Sequence, residues 1–199
     1  MIIIDFNNFW SPSGGGVRRY HLEKMKYYTS EKNNLLVFVM PDSKTYTEEV
    51  SPSLIVEHVK AFKMPLYNGY RFIWKKKQIA PYLKKYNPDV IEVGSPYILP
   101  KAVSKQALQI CPQAKLLGFW HADFPITYVQ RAFTRFFGKK IGAFARKLAF
   151  LYAHYQFKNY HGIQVSCKEV IERLKEEGFQ NLYWIPLGCN IELFSPNKR

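Results

Sequence analysis

Four stretches of this sequence combine residue types that could do chemistry. The first is Gly14-Gly15-Gly16-Val17-Arg18-Arg19-Tyr20, which follows a short apolar start. Adjacent glycines let backbone N–H groups approach a ligand without a Cβ in the way. A helix opening there adds unpaired donors and a partial positive charge, so a phosphate is the natural guest. Arg18 and Arg19 strengthen that field. The segment is neither the spaced G-x-G-x-x-G of dinucleotide folds nor a P-loop, which would end in Lys-Ser/Thr. The same residues also describe a plain β-to-α loop with no ligand.

The second stretch runs from Gly118 to Pro125, at the end of an apolar run. His121 and Asp123 stand two residues apart, with Trp120 and Phe124 beside them. At the carboxyl edge of a parallel sheet such a set could hold a polar ring against an apolar wall. A histidine after a strand can equally be structural. The third stretch, Arg131 to Leu148, is basic and aromatic. Phe133, Phe137, Ile141, Phe144 and Leu148 recur at steps of three and four, while Arg131, Arg135, Lys139, Arg146 and Lys147 are mostly displaced around the helix. Such a helix can lie in a lipid headgroup layer or pack its stripe on the sheet, and both readings stay open. Trp120, Phe124, Arg131, Arg135, Lys139 and Lys140 form the candidate acceptor or membrane surface. The fourth stretch, Trp184 to Pro196, leaves the sheet through Pro-Leu-Gly and Phe-x-Pro, by itself only a turn signal.

The elements that must position these residues follow from short apolar runs alternating with helical spacing, the habit of a parallel sheet covered by helices. Seven strands are expected: Ile2 to Asp5, Leu35 to Met40, Leu54 to His58, Asp89 to Val93, Lys115 to Trp120, Gly162 to Ser166, and Leu182 to Pro186. Their apolar residues occupy both alternating faces, as in strands buried between two helix layers. Helices are expected from Gly16 to before Asn33, from about Tyr70 to Tyr86, and from Lys101 to Gln109. Others run from about Val129 to Tyr160, interrupted at Gly138 and Gly142, and from Lys168 to Glu177. The fold class is α/β, a doubly wound, Rossmann-like, mostly parallel sheet with helices on both faces. Residues 1–186 read as one domain and 187–199 as the start of a crossing to another.

The chain has 199 residues, 47% of them hydrophobic, enough for one domain with a real core. A formal charge of +14 calls for an acidic partner: phosphates, an anionic membrane or nucleic acid. The basic residues are spread through the chain, and no helix-turn-helix, zinc finger, RRM-like or KH-type motif is evident, which disfavours nucleic acid. Cys111, Cys167 and Cys189 are widely spaced and suggest neither a disulfide framework nor a zinc site, so a cytoplasmic setting is expected. Met1 to Phe6 lacks a basic leader, and no apolar run reaches the length of a bilayer span. The expected protein is soluble or at most peripheral on a membrane.

Taken in order, these segments resemble the N-terminal domain of family 4 glycosyltransferases of the GT-B fold. The similarity rests on Gly14-Gly-Gly-Val-Arg-Arg-Tyr20, on Pro88 to Ile91, and on a strand leading to His121 near Asp123. It rests also on Gln164-Val-Ser-Cys-Lys-Glu-Val170 and, most specifically, on the crossing from Ile185 to Pro196. The resemblance implies a cleft between two lobes. Gly14, Gly15, Gly16 and Arg18 would then approach the donor diphosphate, His121 would contact the transferred sugar, and Asp123 would help to position sugar or acceptor. It further implies a nucleotide-sugar donor, a glycan or lipid-linked acceptor, retention of configuration, no metal or other cofactor, and a C-terminal lobe whose basic donor site and Glu-x7-Glu motif are not in these residues. Glu23/Glu31, Glu49/Glu57 and Glu169/Glu177 have that spacing, but none in the right context. Without the second lobe the chain would be inactive. Two other classes compete: a non-enzymatic basic module for an anionic membrane or nucleic acid, and another GT-B enzyme with a similar first half, such as an epimerase or a synthase.

Overall fold

The computed structural model describes residues 1–10, 15–30, 33–63 and 69–188. Its strands are β1 (Ile2–Phe6), β2 (Leu35–Asp42), β3 (Tyr46–Ser51), β4 (Leu54–Lys60), β5 (Phe62–Lys63), β6 (Arg71–Phe72), β7 (Val90–Val93), β8 (Lys115–Trp120), β9 (Gly162–Val165) and β10 (Leu182–Trp184). Its helices are α1 (Gly16–Ser30), α2 (Lys76–Tyr86), α3 (Leu99–Ile110), α4 (Arg131–Phe137), α5 (Lys139–Phe157) and α6 (Lys168–Glu176), with a π-helical turn at Pro125–Gln130 leading into α4.

Eight strands form one sheet in the order β10-β9-β8-β7-β1-β2-β4-β3. All pairings are parallel except β3 with β4. The alternation of side chains sorts the core into two layers. Ile4, Phe6, Val37, Ile91 and Leu116 face α2, α3, α5 and α6, whereas Ile3, Leu36 and Leu54 meet Met25 and Tyr28 of α1. Helices thus cover both faces, and the doubly wound α/β class expected from the sequence is the one found.

Several elements depart from expectation. β3 is an antiparallel edge strand, exposed along nearly its whole length, so no apolar alternation marks it. Residues 71–72 pair with β5 before α2 begins at Lys76, where the Gln78 side chain accepts from the Lys75 N–H at 3.1 Å. The expected long helix to Tyr160 breaks at Gly138, whose φ of 85° suits glycine. Gly142 does not interrupt it. That glycine sits inside α5, buried against Thr134 of α4, eight residues earlier. Residues so far apart would be about 12 Å distant along a straight helix, so the chain doubles back at Gly138.

Candidate functional site

Strand order reverses at β1, since the chain runs outward through β2 and β4 and then returns to the other side of β1 with β7. The following helices diverge: α1 packs on one face, α3 on the other. This opens a crevice beyond the carboxyl ends of β1 and β7, the place where open α/β sheets bind ligands. Because β1, β7 and β8 are parallel neighbours, the loops after all three reach the same edge.

The loop after β1 is built by two fully buried asparagines. Asn7 accepts the Phe9 N–H at 2.7 Å and meets the His21 ring of α1. Asn8 exchanges two hydrogen bonds with the Ile73 backbone, at 2.8 and 3.1 Å. Phe9 is thereby held over the site, its ring 4.9 Å from that of His121 and 5.8 Å from that of Tyr97. Tyr20 of α1 lies 4.9 Å from Phe119, which in turn packs 5.7 Å from His121. The start of α1 and His121 therefore share one edge of the sheet and are linked by ring contacts.

Gly14 lies outside the described residues. Gly15 and Gly16 are exposed, and the Gly15 carbonyl accepts the Arg19 N–H at 3.2 Å as α1 begins. A Cβ on either glycine would meet nothing within 4 Å, so packing within the chain does not require glycine at these positions. Arg18 lies over the Trp10 ring, 5.5 Å from its centre, and Arg19 pairs with Glu23 at 3.0 Å.

His121 is half-buried, and its Nδ1 is enclosed with no hydrogen-bond partner among the described residues. Burial lowers its pKa to about 4, and the neighbouring His21 adds to the effect. The ring is neutral at physiological pH, so it offers directed hydrogen bonding rather than charge. Asp123 pairs through Oδ2 with Arg173 of α6, and its Oδ1 is buried without a partner among the described residues. Its carbonyl accepts from Thr127 at 2.8 Å, starting the turn that leads to α4.

Trp120 and Phe124 require a correction. They do not wall an open site; each is at most 3% exposed, Trp120 packing against Phe157 and Phe179 and Phe124 against Trp120 and Tyr97. Strand β8 is buried on both faces, so a residue next to His121 in sequence points away from it. Arg131, Arg135, Lys139 and Lys140 are exposed. They lie on α4 and the first turn of α5, the helices that follow the His121–Asp123 loop through the π-helical turn.

The structure adds groups that the sequence did not single out. Asp5, Lys24 and Glu92 form a charge cluster, Asp5 buried and the other two partly so, with Lys24 2.8 Å from Asp5 and also paired to Glu92. Burial opposes ionisation of Asp5, but Lys24 and His21 outweigh it and hold the carboxyl well below its usual range. The same balance keeps Lys24 charged: burial works against it, and Asp5 and Glu92 prevail. Beside this cluster lies a cavity of about 10 Å³, the room one water needs. After β7, a Cβ on Gly94 would press on Asn7 at 3.3 Å and His21 at 3.4 Å, and Ser95 Oγ is buried without a partner among the described residues. The Asp-Phe-Asn-Asn run where β1 passes into its loop was the legible signal for part of this set; Gly94 and Ser95 gave none.

The sequence matches no protein-family model and no curated protein. Among solved structures the chain is similar to the apo form of the lipopolysaccharide outer core galactosyltransferase WaaB, with a TM-score of 0.59 at 10% identity. What the two share is the fold, a Rossmann-like, mostly parallel α/β sheet. That match covers 96% of this chain and 47% of the galactosyltransferase chain, so these residues span about half of their neighbour. The UDP-GlcNAc 2-epimerase from Methanocaldococcus jannaschii is a more distant match, at a TM-score of 0.46 and 10% identity over 92% of this chain and 45% of that one. At such identities the likeness concerns the fold alone. What this chain does rests on its own residues.

Proposed function

We propose that this chain is the acceptor-side half of a retaining glycosyltransferase of the family 4 type. In this reading it moves a sugar from a nucleotide-sugar donor to a glycan or lipid-linked acceptor, with a second, donor-binding lobe closing the cleft. One observation carries the proposal: a helix opened by glycines that packing does not require shares the switch-point edge of the sheet with a neutral, half-buried histidine whose Nδ1 is unfilled.

Breaking the anomeric C–O bond leaves negative charge on the departing diphosphate, and the proposal includes no metal. Fixed dipoles and cations must then take that charge. Gly14, Gly15 and Gly16 would let α1 amides approach it, and Arg18 would leave Trp10 to add a cation. The sugar gains oxocarbenium-like character, which the uncharged His121 ring can orient by hydrogen bonding without repelling it. Asp123 is a positioning residue here, since its salt bridge to Arg173 ties the His121 loop to α6. Closure by the second lobe would exclude water and strengthen each contact.

The test is transfer from a panel of radiolabelled nucleoside-diphosphate sugars to extracted glycans and membrane lipids. The 199 residues alone should give none; supplied with a donor-binding lobe they should give transfer that falls at least roughly a hundredfold in His121→Ala, the scale of losing one oriented polar contact. Transfer by the 199 residues alone, or transfer indifferent to His121→Ala, would refute the proposal. A cytoplasmic setting, peripheral on a membrane, belongs to the same reading. Among the described residues no helix is long and apolar enough to cross a bilayer.

A further inference from the structure

Helix α4 buries none of its residues. It displays Phe133, Phe136 and Phe137 to solvent, Phe136 at 74% exposure. Helix α5 turns its small residues inward, with Gly142, Ala145, Ala149 and Ala153 all buried. Outward it carries a stripe from Ile141 through Phe144 and Leu148 to Tyr155, at helical steps, about 20 Å long. The stripe that could have packed on the sheet therefore faces solvent instead. A contiguous apolar face of this kind marks an interaction surface.

Its charge pattern identifies the partner. From Phe124 through Lys168 the sequence has no Asp or Glu. Arg131, Arg135, Lys139, Lys140 and Lys147 are exposed among the aromatic side chains, and Lys101 lies over Tyr155, 4.6 Å from the ring centre. The centre of a protein–protein interface is depleted in charge and its rim carries both signs, whereas cations of one sign interleaved with aromatic rings match a headgroup layer. A nucleic acid would use the cations but leave the outward aliphatic side chains, Ile141, Leu148 and Leu151, in water.

We infer that α4 and the outward face of α5 dock on an anionic lipid surface. Phe136 and Phe144 enter the boundary between headgroups and acyl chains, and Arg131, Arg135, Lys139 and Lys140 meet lipid phosphates. The π-helical turn joins this surface directly to the His121–Asp123 loop, so the crevice opens beside the membrane and a lipid-linked acceptor needs to travel little. The inference deepens the peripheral placement proposed above and rests on it only for the acceptor's source. Vesicle binding is read without donor or acceptor, so its failure and that of sugar transfer are separable.

The experiment is flotation of the 199-residue protein with vesicles of phosphatidylcholine alone or mixed with phosphatidylglycerol, at low and high salt. The protein should float with the anionic vesicles only, and less so in high salt. Phe136→Ser with Phe144→Ser should abolish flotation. Arg131→Gln with Arg135→Gln should weaken it by roughly fivefold per charge. Because α4 has no buried residue and the Phe144 ring points outward, both double variants should keep the wild-type circular dichroism and melting temperature, which are measured alongside. Equal binding to neutral vesicles, or flotation unaffected by either variant, would overturn the inference. So would an absence of flotation accompanied by a dimer that Phe136→Ser with Phe144→Ser dissociates, or by salt-sensitive DNA binding.

Discussion

His121 shows how a single residue reports its surroundings. Its ring is lowered to about pKa 4 mainly by burial, from an ordinary value of 6.5. The unfolded chain takes up a proton at this residue as pH falls through 6.5, while the folded chain does not until near 4. The stability held in the neutral ring is thus complete above pH 6.5 and is lost between 6.5 and 4. Urea unfolding across that window should show a steeper loss for wild type than for His121→Gln, the difference reaching on the order of 2 kcal/mol. Equal slopes would mean that the ring is solvated. Asp5 is depressed in the same direction, but in favour of its charged form, so its contribution is lost only as pH falls through and below the ordinary carboxylate range. Gly15 and Gly16 invite the complementary test. Alanine there meets no neighbour, so Gly15→Ala and Gly16→Ala should leave stability within about 1 kcal/mol of wild type, or raise it. Both should nevertheless weaken nucleoside-diphosphate sugar binding, as isothermal titration would read; unchanged binding in both would remove the loop from the site.

Among the elements, what could be read from sequence was what packing enforces. The parallel strands were legible because burial between two layers demands apolar residues on both faces, as in Leu36 to Met40. Strand β3 was not, since Tyr-Thr-Glu-Glu-Val-Ser lies on an edge with little to bury. Trp120 and Phe124 misled for the converse reason: aromatic residues beside a candidate histidine look like a binding wall until the strand's second buried face is known. The Asp123–Arg173 bridge joins residues fifty apart, which no local pattern records. Gly142 reads as a helix breaker by propensity, yet it serves the contact of α4 with α5. A Cβ there would stand 1.9 Å from Thr134 Oγ1 and 3.0 Å from its backbone nitrogen. Gly142→Ala should therefore destabilise the protein by about 1–3 kcal/mol in chemical denaturation. Thr134→Ala should recover only part of this, because the backbone contact remains. A neutral Gly142→Ala would show that α4 is not fixed against α5.

At the scale of the molecule, the sheet ends in β3 on one side and on the other in β10, whose Tyr183 and Trp184 are exposed, with Lys168 lying 4.1 Å from the centre of the Trp184 ring. The residues beyond it, where the crossing from Ile185 to Pro196 was read, are described only as far as Gly188. On the two proposals made above, a charge of +14, an apolar basic face on α4 and α5, and a crevice at the switch point would divide into two roles: one surface for a membrane and one lip for a sugar nucleotide. The claim on which the second role depends is that the glycine-opened start of α1 and His121 act on one ligand. Residue-resolved amide NMR of the 199-residue protein, titrated with a panel of nucleoside-diphosphate sugars, tests it most directly, since weak binding is still visible. Perturbations from at least one donor should converge on Gly15, Gly16, Phe9 and His121. Shifts confined elsewhere, for example to the lysine-lined trough of Lys75, Lys76 and Lys84 on α2, or no shift with any donor, would contradict it.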